Sequence, residues 1–111
     1  MVEYSDEKLD RIFSALSDPT RRAIVEQLTK GEATVGELAE PHEMTFQAIS
    51  KHVRKLEAAG LVRRRRAGRE IYCQLEVNPM RNAVSWIEKQ RQFWEARLDR
   101  LEELLRRQSD E

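Results

Sequence analysis

The chain has 111 residues, which suffice for one domain with one core, and its 40% hydrophobic content is too high for a disordered segment. No stretch approaches the roughly 18 consecutive apolar residues of a membrane span, and the first residues lack the basic and apolar regions of a secretory signal. A single cysteine excludes an intrachain disulfide, so the composition predicts a protein of the reducing cytoplasm that has no contact with membranes.

Charge is unevenly distributed along the chain, although its 20 basic and 20 acidic residues cancel. Between Gln47 and Arg69, eight basic residues stand against one acid, Glu57, so this segment carries +7 and the remainder −7. The basic residues are Lys51, Arg54, Lys55, Arg63, Arg64, Arg65, Arg66 and Arg69. Such a segment can bind the phosphates of a nucleic acid, while the acidic remainder discourages indiscriminate binding.

Four helices are predicted before Gly60. Ser5 can cap the first, in which Leu9, Ile12, Phe13 and Leu16 have the spacing of one buried face, and Asp18-Pro19 is typical of the start of the second. Residues 34–37 match a capping box, which predicts a short third helix to about Glu40, and Thr45 can cap a fourth that ends near Gly60. The third and fourth helices form a predicted helix-turn-helix over residues 34–60.

The fourth helix has two distinct faces on the helical wheel. Its apolar arc is expected to pack inward, and it consists of Phe46, Ile49, Val53 and Leu56. The opposite arc is free of acids and of bulky apolar groups, and it consists of Gln47, Ala48, Lys51, Arg54, Lys55 and Ala58. This second arc would face a partner.

A wing and a long last helix are predicted after Gly60. Strand-like patterns on both sides of Ala67-Gly68-Arg69 predict a β-hairpin over residues 61–75. Asn78-Pro79 is typical of a helix start, and a helix over residues 79–107 would be about 40 Å long at 1.5 Å per residue. The predicted fold is one winged helix-turn-helix domain over residues 1–111, mainly α with a small β-hairpin, in the order α-α-α-α-β-β-α.

A short helix followed by one with a basic outer face meets the requirements for recognition of the DNA major groove. The residues of the fourth helix expected to contact DNA are Thr45, Gln47, Ala48, Ser50, Lys51, Arg54 and Lys55. Gln47 is the main candidate for base reading, because its amide can bond both N6 and N7 of adenine. Since alternate strand residues share a face, the wing would add Arg64, Arg66 and Arg69 and leave Arg63 and Arg65 to pair with acids.

Three segments resemble the ArsR/SmtB-type bacterial repressors: LSDPTRR at residues 16–22, VGELA at 35–39 and AISKHVRKLEAAGLV at 48–62. The resemblance implies a homodimer, an operator with two-fold symmetry, and repression that is relieved by a signal. It also places His52 near the DNA backbone, whereas the helical wheel allows a packed, hydrogen-bonded histidine instead. Arg21 and Arg22 are expected to form salt bridges with acids rather than to contact DNA.

The chain departs from the metal-sensing members that it resembles. The third-helix segment has no cysteine and the last helix has no histidine, so the ligand sets of those members cannot form there. We therefore expect no metal and no cofactor. Cys73, in the apolar alternation of the second wing strand, is expected to be a small buried residue rather than a redox sensor.

The last helix has a heptad-like apolar stripe, which predicts a homodimer. Its members are Met80, Val84, Ile87, Arg91, Trp94, Leu98, Leu101 and Leu105, of which only Arg91 is polar. The residues predicted at the dimer interface are Leu9, Ile12, Phe13, Ile87, Trp94, Leu98, Leu101 and Leu105.

The residue patterns predict a sequence-specific DNA-binding regulator, and the resemblance implies that it is a homodimeric repressor of a palindromic operator. Two histidines, one cysteine and no phosphate-binding glycine loop leave no set of residues for catalysis, so an enzyme is excluded. The alternative is a winged helix that only associates with proteins, because the fold does not dictate its use. The sequence does not identify the effector, which could be a small molecule or a protein.

Overall fold

Five α-helices and three β-strands make up residues 6–109, the part of the chain that the computed structural model describes. In chain order they are α1 (Asp6–Ala15), α2 (Pro19–Leu28), β1 (Ala33–Thr34), α3 (Val35–Ala39), α4 (Phe46–Ala58), β2 (Val62–Ala67), β3 (Glu70–Leu75) and α5 (Val77–Ser109). The expected cap at Ser5 lies outside the described residues. Helices α3 and α4 form the helix-turn-helix, and β2 and β3 form the wing.

Three of the predicted helix caps are confirmed. The Asp18 carboxylate accepts a hydrogen bond from the Arg21 backbone N–H at 3.0 Å. Thr34 and Glu37 form the complete capping box at the start of α3. The Thr45 hydroxyl accepts from the Ala48 N–H at 3.1 Å. Each bond satisfies an N–H that lacks a partner within its helix, so the local sequence fixes where these helices begin.

The sheet has three antiparallel strands in the order β1-β3-β2, not the two strands that the sequence predicted. Strand β1 was missed because two residues are too short to show an alternating pattern. It pairs Ala33 with Cys73 and Thr34 with Tyr72, which are distant in sequence. The β2–β3 hairpin turns at Gly68, whose φ of +65° is rarely adopted by other residues.

The core lies between α1, α2, α3, α4 and the inner face of the sheet. Its most deeply buried side chains are Ile24, Leu38, Ile49, Val53, Leu56, Leu61 and Cys73. Leu9 and Ile12 are also buried, at 5% and 2% exposure. The expectation that they lie at the dimer interface is therefore wrong, because they pack inside a single chain. The expectation that Phe46 packs inward is wrong, because its side chain is 55% exposed.

Helix α5 extends well beyond the rest of the domain. It begins at Val77 rather than Pro79, since a proline in the first helical turn removes no intrahelical hydrogen bond, and it ends at Ser109. Its 33 residues give a length of about 50 Å. Within the described part of α5 only Ala83 is buried, and Trp86 meets Phe13 of α1 edge-on, with ring centroids 5.7 Å apart. No helix within residues 6–109 is long and apolar enough to span a membrane.

Candidate nucleic-acid interface

The outer face of α4 is held outward by the burial of its inner face. Ile49, Val53 and Leu56 are at most 1% exposed, and this fixes the rotation of the helix. The predicted DNA-contacting residues Gln47, Lys51, Arg54 and Lys55 are exposed, and Ala48 and Ser50 are half-buried. Thr45 is exposed at the N-cap, where its hydroxyl oxygen accepts the Ala48 N–H and its proton is left to donate.

Five cations on α4 and the wing have no acidic partner within residues 6–109. They are Lys51, Arg54, Lys55, Arg66 and Arg69. All five side chains are exposed. Cations that are exposed and unpaired can bind phosphate without first breaking an existing ion pair.

The wing arginines divide between two faces as the alternation predicted. Arg63 pairs with Glu76, its Nε lying 2.9 Å from a carboxylate oxygen. Arg65 donates to Glu32 at 2.6 Å and stacks over the Tyr72 ring. Hydrogen bonding to Glu32 raises the pKa of Arg65, so the Arg65 guanidinium stays positively charged. The other face carries Arg64 and Arg66, which lie opposite Cys73 and Ile71 in the strand register.

Arg64 has a partner that the sequence did not predict. Its Nε donates to both carboxylate oxygens of Glu57, each at 3.1 Å, and this bond joins the wing to α4. Beside it lies a cleft of about 420 Å³ between α3, α4 and the wing. Its lining residues are Thr34, Val35, Gly36, Phe46, Ser50, Arg54, Arg64, Arg69, Glu70 and Ile71.

His52 lies on the side of α4 that faces α2, not near the outer face. Its Nδ1 is 3.3 Å from Arg21 Nη1 and 3.8 Å from an oxygen of Asp18, and the side chain is 20% exposed. This arrangement agrees with the packed, hydrogen-bonded alternative for His52.

Arg21 and Arg22 bind backbone carbonyls at the end of α1 instead of forming the expected salt bridges. Arg21, which is buried, donates to Ala15 O at 2.6 Å and to Ser14 O at 3.2 Å, and Arg22 donates to Leu16 O at 2.7 Å. These carbonyls have no partner within α1, and a cation is favoured at the C-terminal end of a helix dipole. Sequence spacing to acids gives no indication of such bonds.

Cys73 is fully buried in the sheet, and burial raises the pKa of its thiol. A buried thiol with a raised pKa is mostly protonated at neutral pH and is a poor nucleophile. The expectation of a small buried residue is confirmed. Within the described chain, no group of three or more His, Cys, Asp or Glu side chains is arranged to hold a metal ion.

Helix α5 has exposed apolar residues along most of its length that no other part of residues 6–109 covers. Among them, each between 50% and 59% exposed, are Val84, Ile87, Phe93, Trp94, Leu98, Leu101, Leu104 and Leu105. Arg91 lies on the same line and forms ion pairs with Glu88 and Glu95, which raise its pKa. A monomeric protein rarely leaves so large a continuous apolar surface in water.

Comparison with known proteins identifies the fold independently. A family model described as a helix-turn-helix domain matches residues 16–65. The transcriptional repressor SdpR of Bacillus subtilis is 33% identical over 79 residues, which are 71% of this chain and 88% of that protein. The crystal structure of an ArsR family transcriptional regulator is 41% identical with a TM-score of 0.74, and the match covers 79% of this chain and 97% of that one.

A second solved structure agrees with these matches. An ArsR-like transcriptional regulator from Rhodococcus sp. RHA1 is 31% identical with a TM-score of 0.72, over 88% of this chain and 92% of that one. The resemblance inferred from three sequence segments is therefore confirmed, as is a mainly helical fold with a small sheet and a long last helix. The chain belongs to the ArsR family of winged helix-turn-helix transcriptional regulators, which are DNA-binding proteins rather than enzymes.

Proposed function

We propose that this chain is a homodimeric repressor that binds a palindromic operator in double-stranded DNA through α4 and the wing. The observation that carries the proposal is the group of five exposed cations on α4 and the wing that have no acidic partner within residues 6–109. The start of α4, Thr45 and Gln47, is uncharged, polar and exposed, and base edges would be read there. The repressor named among the relatives favours repression over activation.

In this proposal the contacts divide into two kinds. Gln47, Ser50 and Lys51 near the N-terminal end of α4 reach base edges, with Thr45 and Ala48 beside them. Arg54 and Lys55, further along α4, bind phosphates, together with Arg66 and Arg69 on the wing. Arg64 joins the second group once it separates from Glu57. Phosphate contacts set affinity and orientation, and base contacts set which sequence is preferred.

The homodimer forms through the apolar face of α5 and supplies the spacing of the two recognition helices. Two copies of α4 about 34–36 Å apart would meet successive major-groove faces of a palindromic site. The contacts are supplied by apolar residues that are 50–58% exposed in one protomer: Ile87, Trp94, Leu98, Leu101 and Leu105. Phe13, which packs on Trp86, lies at the edge of this surface.

Regulation would act on the same geometry. An effector, a small molecule or a protein, that alters the packing of α1 against α5 would change the separation of the two α4 helices and release DNA. Such coupling between sites typically amounts to about 1–3 kcal/mol. We also propose that the protein acts in the cytoplasm, where its DNA target would lie.

The proposal is tested by DNA binding across a salt series, followed by selection of bound duplexes from a random pool. Phosphate contacts predict a steep fall of affinity with salt concentration, and base contacts predict enrichment of one palindromic sequence. Undetectable binding to any duplex at low salt would contradict the proposal and favour the alternative, a winged helix that associates only with proteins. Nothing in that alternative requires five exposed, unpaired cations on one surface.

A further inference from the structure

Phe46 is the first residue of α4, at the end of the helix that we propose enters the groove, and the residue is 55% exposed. It has no ring or cation contact with any residue of the described chain. Ile49, three residues later on the same helix, is fully buried, so the core ends before it reaches Phe46. An exposed phenyl ring costs free energy in water, and the fold gives no reason for its position.

The surroundings of Phe46 indicate the chemistry of what covers it. On α4 it is followed at intervals of four residues by Ser50 and Arg54, which line the same cleft. The wing adds Arg64 and Arg69 across the cleft, and Glu70 is the single acid in its lining. A second copy of the chain or an apolar peptide would have to desolvate three arginines beside the ring. An anionic partner with an apolar group at its edge fits both features.

DNA presents that combination in the major groove. Its phosphates match the arginines, and the C5-methyl group of thymine is the apolar group exposed at base edges there. We propose that Phe46 contacts a thymine methyl group in each half-site and so selects thymine over cytosine and uracil at that position. This inference rests on the proposed function, because it requires that α4 enters the major groove.

The experiment removes one methyl group at a time from the DNA. A duplex enriched by the full-length chain from a random pool is resynthesised with single thymines of one half-site replaced by deoxyuridine. Deoxyuridine keeps the Watson–Crick pairing and lacks only the methyl. The free energy of burying one methyl-sized group predicts that wild type loses about fourfold in affinity at one position. Phe46→Ala should bind the thymine and uracil duplexes equally there, and Phe46→Leu should retain part of the difference.

Met44→Ala is the matched control, because Met44 lies two residues earlier, is 43% exposed and precedes the helix. It should keep the full thymine-to-uracil ratio. Since Phe46 is exposed and outside the core, circular dichroism of Phe46→Ala should match that of wild type.

The outcomes separate two kinds of failure. If wild type enriches a sequence but Phe46→Ala leaves every thymine-to-uracil ratio unchanged, the thymine contact is wrong and the proposed function stands. If Met44→Ala, and not Phe46→Ala, makes the thymine and uracil duplexes bind equally, the assignment of the thymine contact to Phe46 is wrong as well. If wild type enriches no sequence at all, the proposed function fails, and this inference fails with it.

Discussion

Arg64 on the wing donates to Glu57 on α4: Nε lies 3.1 Å from both carboxylate oxygens, and Nη2 lies 3.0 Å from one of them. Both side chains are about one-third exposed, at 34% and 37%. An ion pair with this exposure contributes about 0–1 kcal/mol to stability. Arg64 can therefore leave Glu57 and bind a DNA phosphate at a small cost in free energy. The pair holds the wing against α4 in the free protein, and Arg64 remains available to DNA.

We predict that Glu57→Gln strengthens binding to random DNA. Arg64 would be free to contact one more phosphate, so the slope of log affinity against log salt should steepen by about 0.9. Fluorescence anisotropy over a salt series measures this slope. Glu76→Gln is the matched control, since it removes the same charge and frees Arg63 on the opposite face of the wing. A change of equal size in both variants would contradict the position of Arg64 at the DNA surface.

We predict that Gln47→Ala weakens binding to the preferred duplex but leaves binding to random DNA almost unchanged. Loss of a bidentate contact to adenine corresponds to about 1–3 kcal/mol, or roughly 5- to 150-fold in affinity. Arg66→Gln should instead weaken both duplexes alike and reduce the salt slope by about 1. Competition titrations with both duplexes separate these effects. Equal losses on the two duplexes for Gln47→Ala would mean that Gln47 does not read bases.

We predict that Leu98→Glu converts the dimer to a monomer and lowers operator affinity, while each protomer stays folded. Leu98 is 58% exposed in one protomer, so the new carboxylate disturbs the contact with the second protomer and not the core of its own. Ala96→Glu is the control, because two helical positions of 100° place it about 160° away around α5. Sedimentation equilibrium gives the mass of each variant. A dimeric Leu98→Glu would show that α5 does not form the interface.

We predict that protonation of Asp18 lowers the free energy of unfolding as the pH falls below about 4. The Arg21 N–H bond, with smaller contributions from the charges of His52 and Arg21, lowers the pKa of Asp18 below its ordinary 3.8. A carboxylate with a lowered folded-state pKa stabilises the fold above its unfolded value, and that contribution disappears as pH falls through the folded value. Asp18→Asn keeps an acceptor at the cap but cannot titrate.

The measurement for this prediction is urea unfolding at several pH values between 2 and 7. The curve of unfolding free energy against pH should be flatter for Asp18→Asn than for wild type in the acidic range. Parallel curves for the two proteins would show that Asp18 does not contribute to acid sensitivity.

Features set by neighbouring residues were predictable from the sequence, and features set by distant contacts were not. The caps at Asp18, Thr34 and Thr45 depend on bonds to residues three positions later, so residue type and spacing suffice. The sorting of the wing arginines into two faces follows from strand alternation alone.

Strand β1, the Arg21–His52 contact and the Arg64–Glu57 pair depend on how separate elements pack, which no local pattern contains. The exposure of Phe46 belongs to the same group. The helical wheel places Phe46 within the apolar arc, but it does not show that the core ends at Ile49.

In α4 the residues that hold the fold and those that face outward are different residues on different arcs. Ile49, Val53 and Leu56 are buried, while Gln47 and Lys51 make no contact on which the core depends. Substitutions at exposed positions of this kind usually change stability by less than about 0.5 kcal/mol. Such positions can therefore change with little loss of stability, so a duplicated copy of this protein could acquire a new target sequence while its fold stays intact.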